Sequence, residues 1–69
     1  MTLEEYRRSV GWSISDLVRQ SDLDFNTAKK ALKGEPISAR TAQKIVAALN
    51  KLLPESILVS QIEGLNVIY

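Results

Sequence analysis

Apolar side chains recur through the first fifty or so residues at the three- and four-residue spacing of amphipathic helices. Leu3, Tyr6 and Val10 make one such stripe. Thr2 with Glu5 three positions later is the pattern of a capping box, and Gly11 suits a left-handed helix end. The spacing therefore predicts a first helix over about 3–10. Ser13 and Asp16 repeat the start signal, and Ile14, Leu17 and Val18 form the apolar face of a second helix over about 14–21. Asp22-Leu23-Asp24 reads as a tight turn. Asp24 is placed to cap a third helix over about 25–33, with Ala28, Ala31 and Leu32 facing inward. Gly34 suits its C-cap, and Glu35-Pro36 forbids its continuation. Ser38 caps a fourth helix over about 39–52, and Pro54 closes it. Its stripe is Ala42, Ile45, Val46, Leu49, Leu52 and Leu53. Trp12, between the first two helices, is expected to cover the core with its indole N–H near the surface.

Connections this short make consecutive helices packed neighbours. Residues 54–69 follow a different pattern. Ile57, Leu58, Val59, Ile62, Leu65, Val67 and Ile68 make this tail too apolar for a disordered linker. Ser56 or Ser60 suits the start of a short fifth helix ending at Gly64, and Leu65–Tyr69 is β-branched enough to be extended. Such a tail either folds back over the fourth helix to complete the core or adds surface to a dimer. The small size of a bundle over 1–53 favours the first use, because it needs the buried area. The expected fold class is all-α: a compact four- to five-helix bundle with a short apolar C-terminal tail.

Composition narrows the function. The chain has 69 residues, enough for one small domain. It contains neither cysteine nor histidine, which excludes disulfides and thiolate metal sites. It has no paired-carboxylate motif, glycine-rich phosphate loop or HExxH-type metal site. A bundle this small also offers no deep pocket. The expectation is therefore no enzyme, no cofactor, no metal and no small-molecule substrate. No apolar run approaches the roughly 18–20 residues that span a bilayer. Glu4 and Glu5, with no apolar stretch behind them, do not fit a signal peptide. A cytoplasmic protein with no membrane partner is expected.

Net charge is only +1, but the charges are unevenly distributed. Over 1–25, Arg7, Arg8 and Arg19 face Glu4, Glu5, Asp16, Asp22 and Asp24, a balance of −2. Over 26–53, Lys29, Lys30, Lys33, Arg40, Lys44 and Lys51 face Glu35 alone, a balance of +5. The tail holds Glu55 and Glu63 and no base, a balance of −2. A localised basic segment is either an electrostatic footprint for phosphate or a solvated lysine-rich helix face. Its position favours neither by itself. The two helices over about 14–33 and their tight turn leave the second helix one outward face, sized for a DNA major groove.

The run Leu17-Val18-Arg19-Gln20-Ser21-Asp22-Leu23-Asp24-Phe25-Asn26-Thr27-Ala28, with Leu32-Lys33-Gly34-Glu35 after it, resembles the Cro/phage-repressor (Xre-type) helix-turn-helix family. The likeness covers about residues 3–53. It implies a lambda-repressor-like bundle whose second and third helices form the motif. Leu17, Leu23, Ala28 and Leu32 fall at the family's core positions, and Gly34 matches the glycine that ends the recognition helix. Three positions depart from the pattern. Asp22 stands where the family has its turn glycine, and aspartate tolerates positive φ better than most residues. Val18 is larger than the usual alanine, and Ala28 is smaller than the usual aliphatic residue.

The resemblance implies that the first residues of the third helix face base edges. Those are Phe25, Asn26 and Thr27, followed by Lys29 and Lys30. Asn26 suits bidentate bonding to adenine; its plainer role is bonding local backbone. Phe25 suits a thymine methyl, or else serves as a core or staple residue. Thr27 reaches a base or a phosphate, or supports the cap. Lys29 and Lys30 suit guanine or phosphate. Phosphate contacts are expected from Ser13, Ser15, Lys33, Arg40 and Lys44, although the two serines also suit plain capping and Lys33 plain solvation. Arg7 and Arg8 are placed to pair with Glu4 and Glu5 instead.

Two functions follow. The first is a sequence-specific transcriptional regulator that binds double-stranded DNA as a homodimer, its two recognition helices about 34 Å apart. The second is a protein-interaction module, such as an antitoxin-like or adaptor subunit, in which the tail supplies the contact.

Overall fold

Each α-helix begins on a side-chain cap supplied by the residue before it. In the computed structural model, which describes residues 1–68, the helices are α1 (Leu3–Ser9), α2 (Ile14–Ser21), α3 (Phe25–Lys33) and α4 (Ala39–Asn50). Thr2 Oγ1 accepts from the Glu5 N–H at 3.2 Å, and Glu5 Oε1 accepts from the Thr2 N–H at 2.8 Å. Ser13 and Asp16 make the same reciprocal pair, at 3.1 and 3.0 Å. Asp24 Oδ1 takes the Thr27 N–H and Ser38 Oγ the Thr41 N–H, each at 3.1 Å. These bonds satisfy N–H groups that the first turn of a helix leaves without partners.

The helix ends depend on backbone conformation. Asp22 terminates α2 in the left-handed region, with φ 54° and ψ 47°. Gly34 terminates α3 with φ 79°. A Cβ on Gly34 would also lie only 3.2 Å from the Gly64 carbonyl oxygen, so this position needs glycine for both reasons. Helix α4 ends at Asn50, two residues before the expected limit. Leu52 is consequently exposed and leaves the core stripe, whereas Leu53 stays packed against the core.

Leu17, Ile45 and Leu49 are the largest fully buried side chains. Around them lie Leu3, Trp12, Ala28, Ala31, Ala42 and Val46, with Ile37 from the α3–α4 connection and Ile57 and Ile62 from the tail. Helix α2 packs against both α3 and α4, and α1 packs against α3. Ala28 is fully enclosed, whereas Val18 is half-buried against the core.

The tail departs from an all-α fold. Its helical part is a single 3-10 turn, α5 (Val59–Gln61), rather than a capped α-helix. Gln61 Oε1 accepts from the Leu58 N–H at 2.6 Å, so a side chain closes the turn that Ser56 or Ser60 was expected to start. Beyond it, strand β2 (Val67–Ile68) runs parallel to β1 (Ile37–Ser38), in register Ile37 with Val67 and Ser38 with Ile68. The Ile37 N–H donates to the Asn66 carbonyl at 2.9 Å. Glu63 bridges back to the N-terminus, its N–H donating to the Met1 carbonyl at 2.9 Å. The fold is thus mostly helical with one small strand pair. A two-residue strand carries no periodicity to read, and its partner lies far along the chain. Of the extended segment expected over Leu65–Tyr69, the strand occupies Val67–Ile68, and Tyr69 lies outside the described residues.

Candidate nucleic-acid interface

Burial of Ala28 and Ala31 fixes the orientation of α3. With those positions inward, Asn26, Lys29, Lys30 and Lys33 fall at i, i+3, i+4 and i+7 on the opposite side, and all four are exposed. Together with Glu35 they line one open hollow of about 260 Å³. Sequence spacing marks Glu35 only as part of the helix stop. Glu35 borders the same hollow as Lys29, Lys30 and Lys33.

Phe25, the first residue of α3, is 49% exposed and lies outside the core. The Lys29 ammonium sits over its ring, 5.5 Å from the centroid, within cation–π range. The Asn26 amide forms no hydrogen bond within the chain among the described residues, so local backbone does not occupy it. Thr27 is half-buried and turned to the cap. Hydrogen bonding from Thr27, by side chain and backbone, holds the Asp24 carboxyl below its ordinary value, and the nearby Lys30 charge adds to the effect.

The cations divide into two sets. Arg7 and Arg8 both pair with Glu4, and Arg19 pairs with Asp16 at 2.7 Å. Arg7 also donates to the Trp12 carbonyl at 2.6 Å. Lys29, Lys30, Lys33, Arg40, Lys44 and Lys51 have no carboxylate partner among the described residues. The α3 lysines therefore form no ion pair with one of the described carboxylates. Lys29 with Lys33 (i, i+4) and Lys30 with Lys33 (i, i+3) are like-charge pairs that work against the helix. Lys30 and Lys33 recover part of this from the C-terminal end of the helix dipole. Helices α1 and α2 place acids in their first turns, and α3 has none there.

The flanking positions are less uniform. Lys44 Nζ lies 3.5 Å from the Asp22 carbonyl, which ties α4 to the α2–α3 turn and sets this cation beside it. Nothing in the sequence spacing signals that contact. Arg40, one turn earlier on α4, is exposed. Ser13 is engaged in its capping box as both acceptor and backbone donor. Ser15 is exposed on the first turn of α2.

Among the described residues, no group of three or more His, Cys, Asp or Glu is placed to hold a metal ion. No helix among the described residues is long and apolar enough to cross a membrane. No family model, curated protein or solved structure matches the chain.

Proposed function

We propose that the protein is a sequence-specific, double-stranded-DNA-binding transcriptional regulator of the Cro/phage-repressor (Xre) type. In this reading α2 and α3 form a helix-turn-helix, and α3 enters the major groove. The exposed ridge of Asn26, Lys29, Lys30 and Lys33, whose lysines form no ion pair among the described residues, carries the reading, with the half-exposed Phe25 at the start of the same helix. Asn26 supplies the donor and acceptor that match an adenine edge. The lysines, with Arg40 and Lys44 flanking, neutralise phosphates and fix register. A single module of this size buries too little surface for high specific affinity, so the protein acts as a homodimer on a two-fold site, in the cytoplasm.

The test is selection of bound sequences from random duplex DNA, followed by titration across salt. Enriched sites with two-fold symmetry and an affinity that falls steeply with salt are expected. Failure to retard any duplex at low salt would overturn the reading.

A second reading is favoured by one observation. Leu52 and Leu58 are 57% and 68% exposed on either side of the segment that leads from α4 into the tail. Exposed leucines at these two positions suit contact with a protein partner, as in an antitoxin-like or adaptor subunit. Charge reversal at Lys29 and Lys30 separates the two. It abolishes DNA binding and leaves intact a partner bound through the leucines.

A further inference from the structure

We propose that Phe25, held by Lys29, reads the C5-methyl group of a major-groove pyrimidine beside the adenine bonded by Asn26. This rests on the duplex-binding reading above and names the chemical group that its recognition helix selects.

A phenyl ring left half in water at the first position of a helix is not explained by the core, to which it does not belong. Nor is it placed as a staple, since the residue before the Asp24 cap is Leu23, which packs against the core. Lys29 stands over the ring, and Lys30 and Lys33 follow on the exposed side of the same helix. A ligand that fits this surface is polyanionic and presents an apolar protrusion next to a paired donor and acceptor. In the major groove the apolar protrusion is the pyrimidine C5-methyl, and the paired donor and acceptor are adenine N6 and N7. The outward face of α3 has no arginine, the side chain best shaped for bidentate bonding to guanine. Lys29, engaged by the ring, acts as a positioning residue that limits the ring's rotation rather than as a base reader. Thymine and 5-methylcytosine both carry the methyl group.

The experiment takes a duplex site enriched by selection and replaces its thymines one at a time by uracil, which removes only the methyl. Wild-type protein is expected to lose roughly four-fold in affinity at one thymine per half-site, the worth of one buried methyl-sized group. Phe25→Ala should bind thymine and uracil equally there, with its circular dichroism unchanged because the ring is outside the core. Asn26→Ala should keep the thymine preference. Lys29→Gln should reduce the preference and Lys29→Arg should preserve it, because guanidinium also sits over aromatic rings. At the same position, cytosine and 5-methylcytosine (each opposite guanine) distinguish the sources. A gain on methylation assigns the contact to the methyl alone. No gain assigns it to thymine, where the neighbouring bonds require the A·T pair.

The proposal is overturned if the selected duplex is bound and no uracil weakens it beyond two-fold, or if Phe25→Ala retains the wild-type ratio. Tighter binding to single strands than to duplex would instead assign the ring to base stacking and overturn methyl reading. If selection enriches no duplex, the duplex reading and this inference fall together.

Discussion

The Asn50 side chain is bonded to both backbone groups of Ile57. Its Oδ1 accepts from the Ile57 N–H at 2.8 Å, and its Nδ2 donates to the Ile57 carbonyl at 3.2 Å. One amide thus imitates a backbone pairing and closes the segment between α4 and the tail. Asn50→Ala should destabilise the protein by about 1–3 kcal/mol, because it leaves two part-buried backbone groups without that partner. Asn50→Asp should also destabilise it, since the carboxylate cannot donate to the carbonyl. Urea unfolding measures both.

The tail contributes to the core, and its residues are not equivalent. Ile62 is 4% exposed, so Ile62→Ala should cost about 2–5 kcal/mol. Leu58 is largely in solvent, so Leu58→Ala should stay within about 0.5 kcal/mol of wild type. Similar losses for the two in denaturant titrations would contradict this placement.

Asp22 holds a left-handed conformation that most side chains resist. Asp22→Val should destabilise the protein by about 1–2 kcal/mol, and Asp22→Gly should match or exceed wild type. The comparison of unfolding midpoints isolates the turn, because Asp22 is exposed and belongs to no ion pair among the described residues.

Among the described residues, four carboxyls are held below their ordinary values. Arg7 lowers Glu4 by hydrogen bonding, and Arg8 adds to it. Hydrogen bonds from Thr2 lower Glu5, those from Ser13 lower Asp16, and those from Thr27 lower Asp24. A folded value below the unfolded one means that the unfolded chain binds protons first as pH falls. Their contribution is therefore fully present above the ordinary values of 4.5 for Glu and 3.8 for Asp and is lost as pH drops through the lower folded values. The unfolding midpoint should be flat near neutrality and decline below about pH 4.5. Asp16→Asn should flatten that decline.

The two sets of cations should respond differently to salt. Replacing Lys30, Lys33 or Arg40 by alanine should lower the slope of log affinity against log salt by about 0.9 for each phosphate that is no longer neutralised. Alanine at Arg7 or Arg19 should leave the slope unchanged, since those guanidinium groups are paired with carboxylates. Equal changes from both sets would remove the basis for treating the 26–53 cations as the DNA-facing ones.

Sequence spacing and capping residues determined α1 to α3 and the start of α4, because the bonds that begin and end a helix come from residues a few positions apart. Thr2 with Glu5, Ser13 with Asp16, Asp24 and Gly34 carry that information locally. The same spacing set which side of α3 is buried, and with it the exposure of Asn26, Lys29, Lys30 and Lys33. Only the tertiary structure decided the rest. The parallel pairing of Ile37 with Val67, the clamp of Asn50 on Ile57 and the approach of Lys44 to the Asp22 carbonyl join separate parts of the chain and leave no periodic trace. The pairing of Arg7 and Arg8 with an acid one turn away was legible from helical spacing, and the structure assigns both to Glu4. Composition counts charges, but a phosphate would meet only those that no carboxylate has already reached.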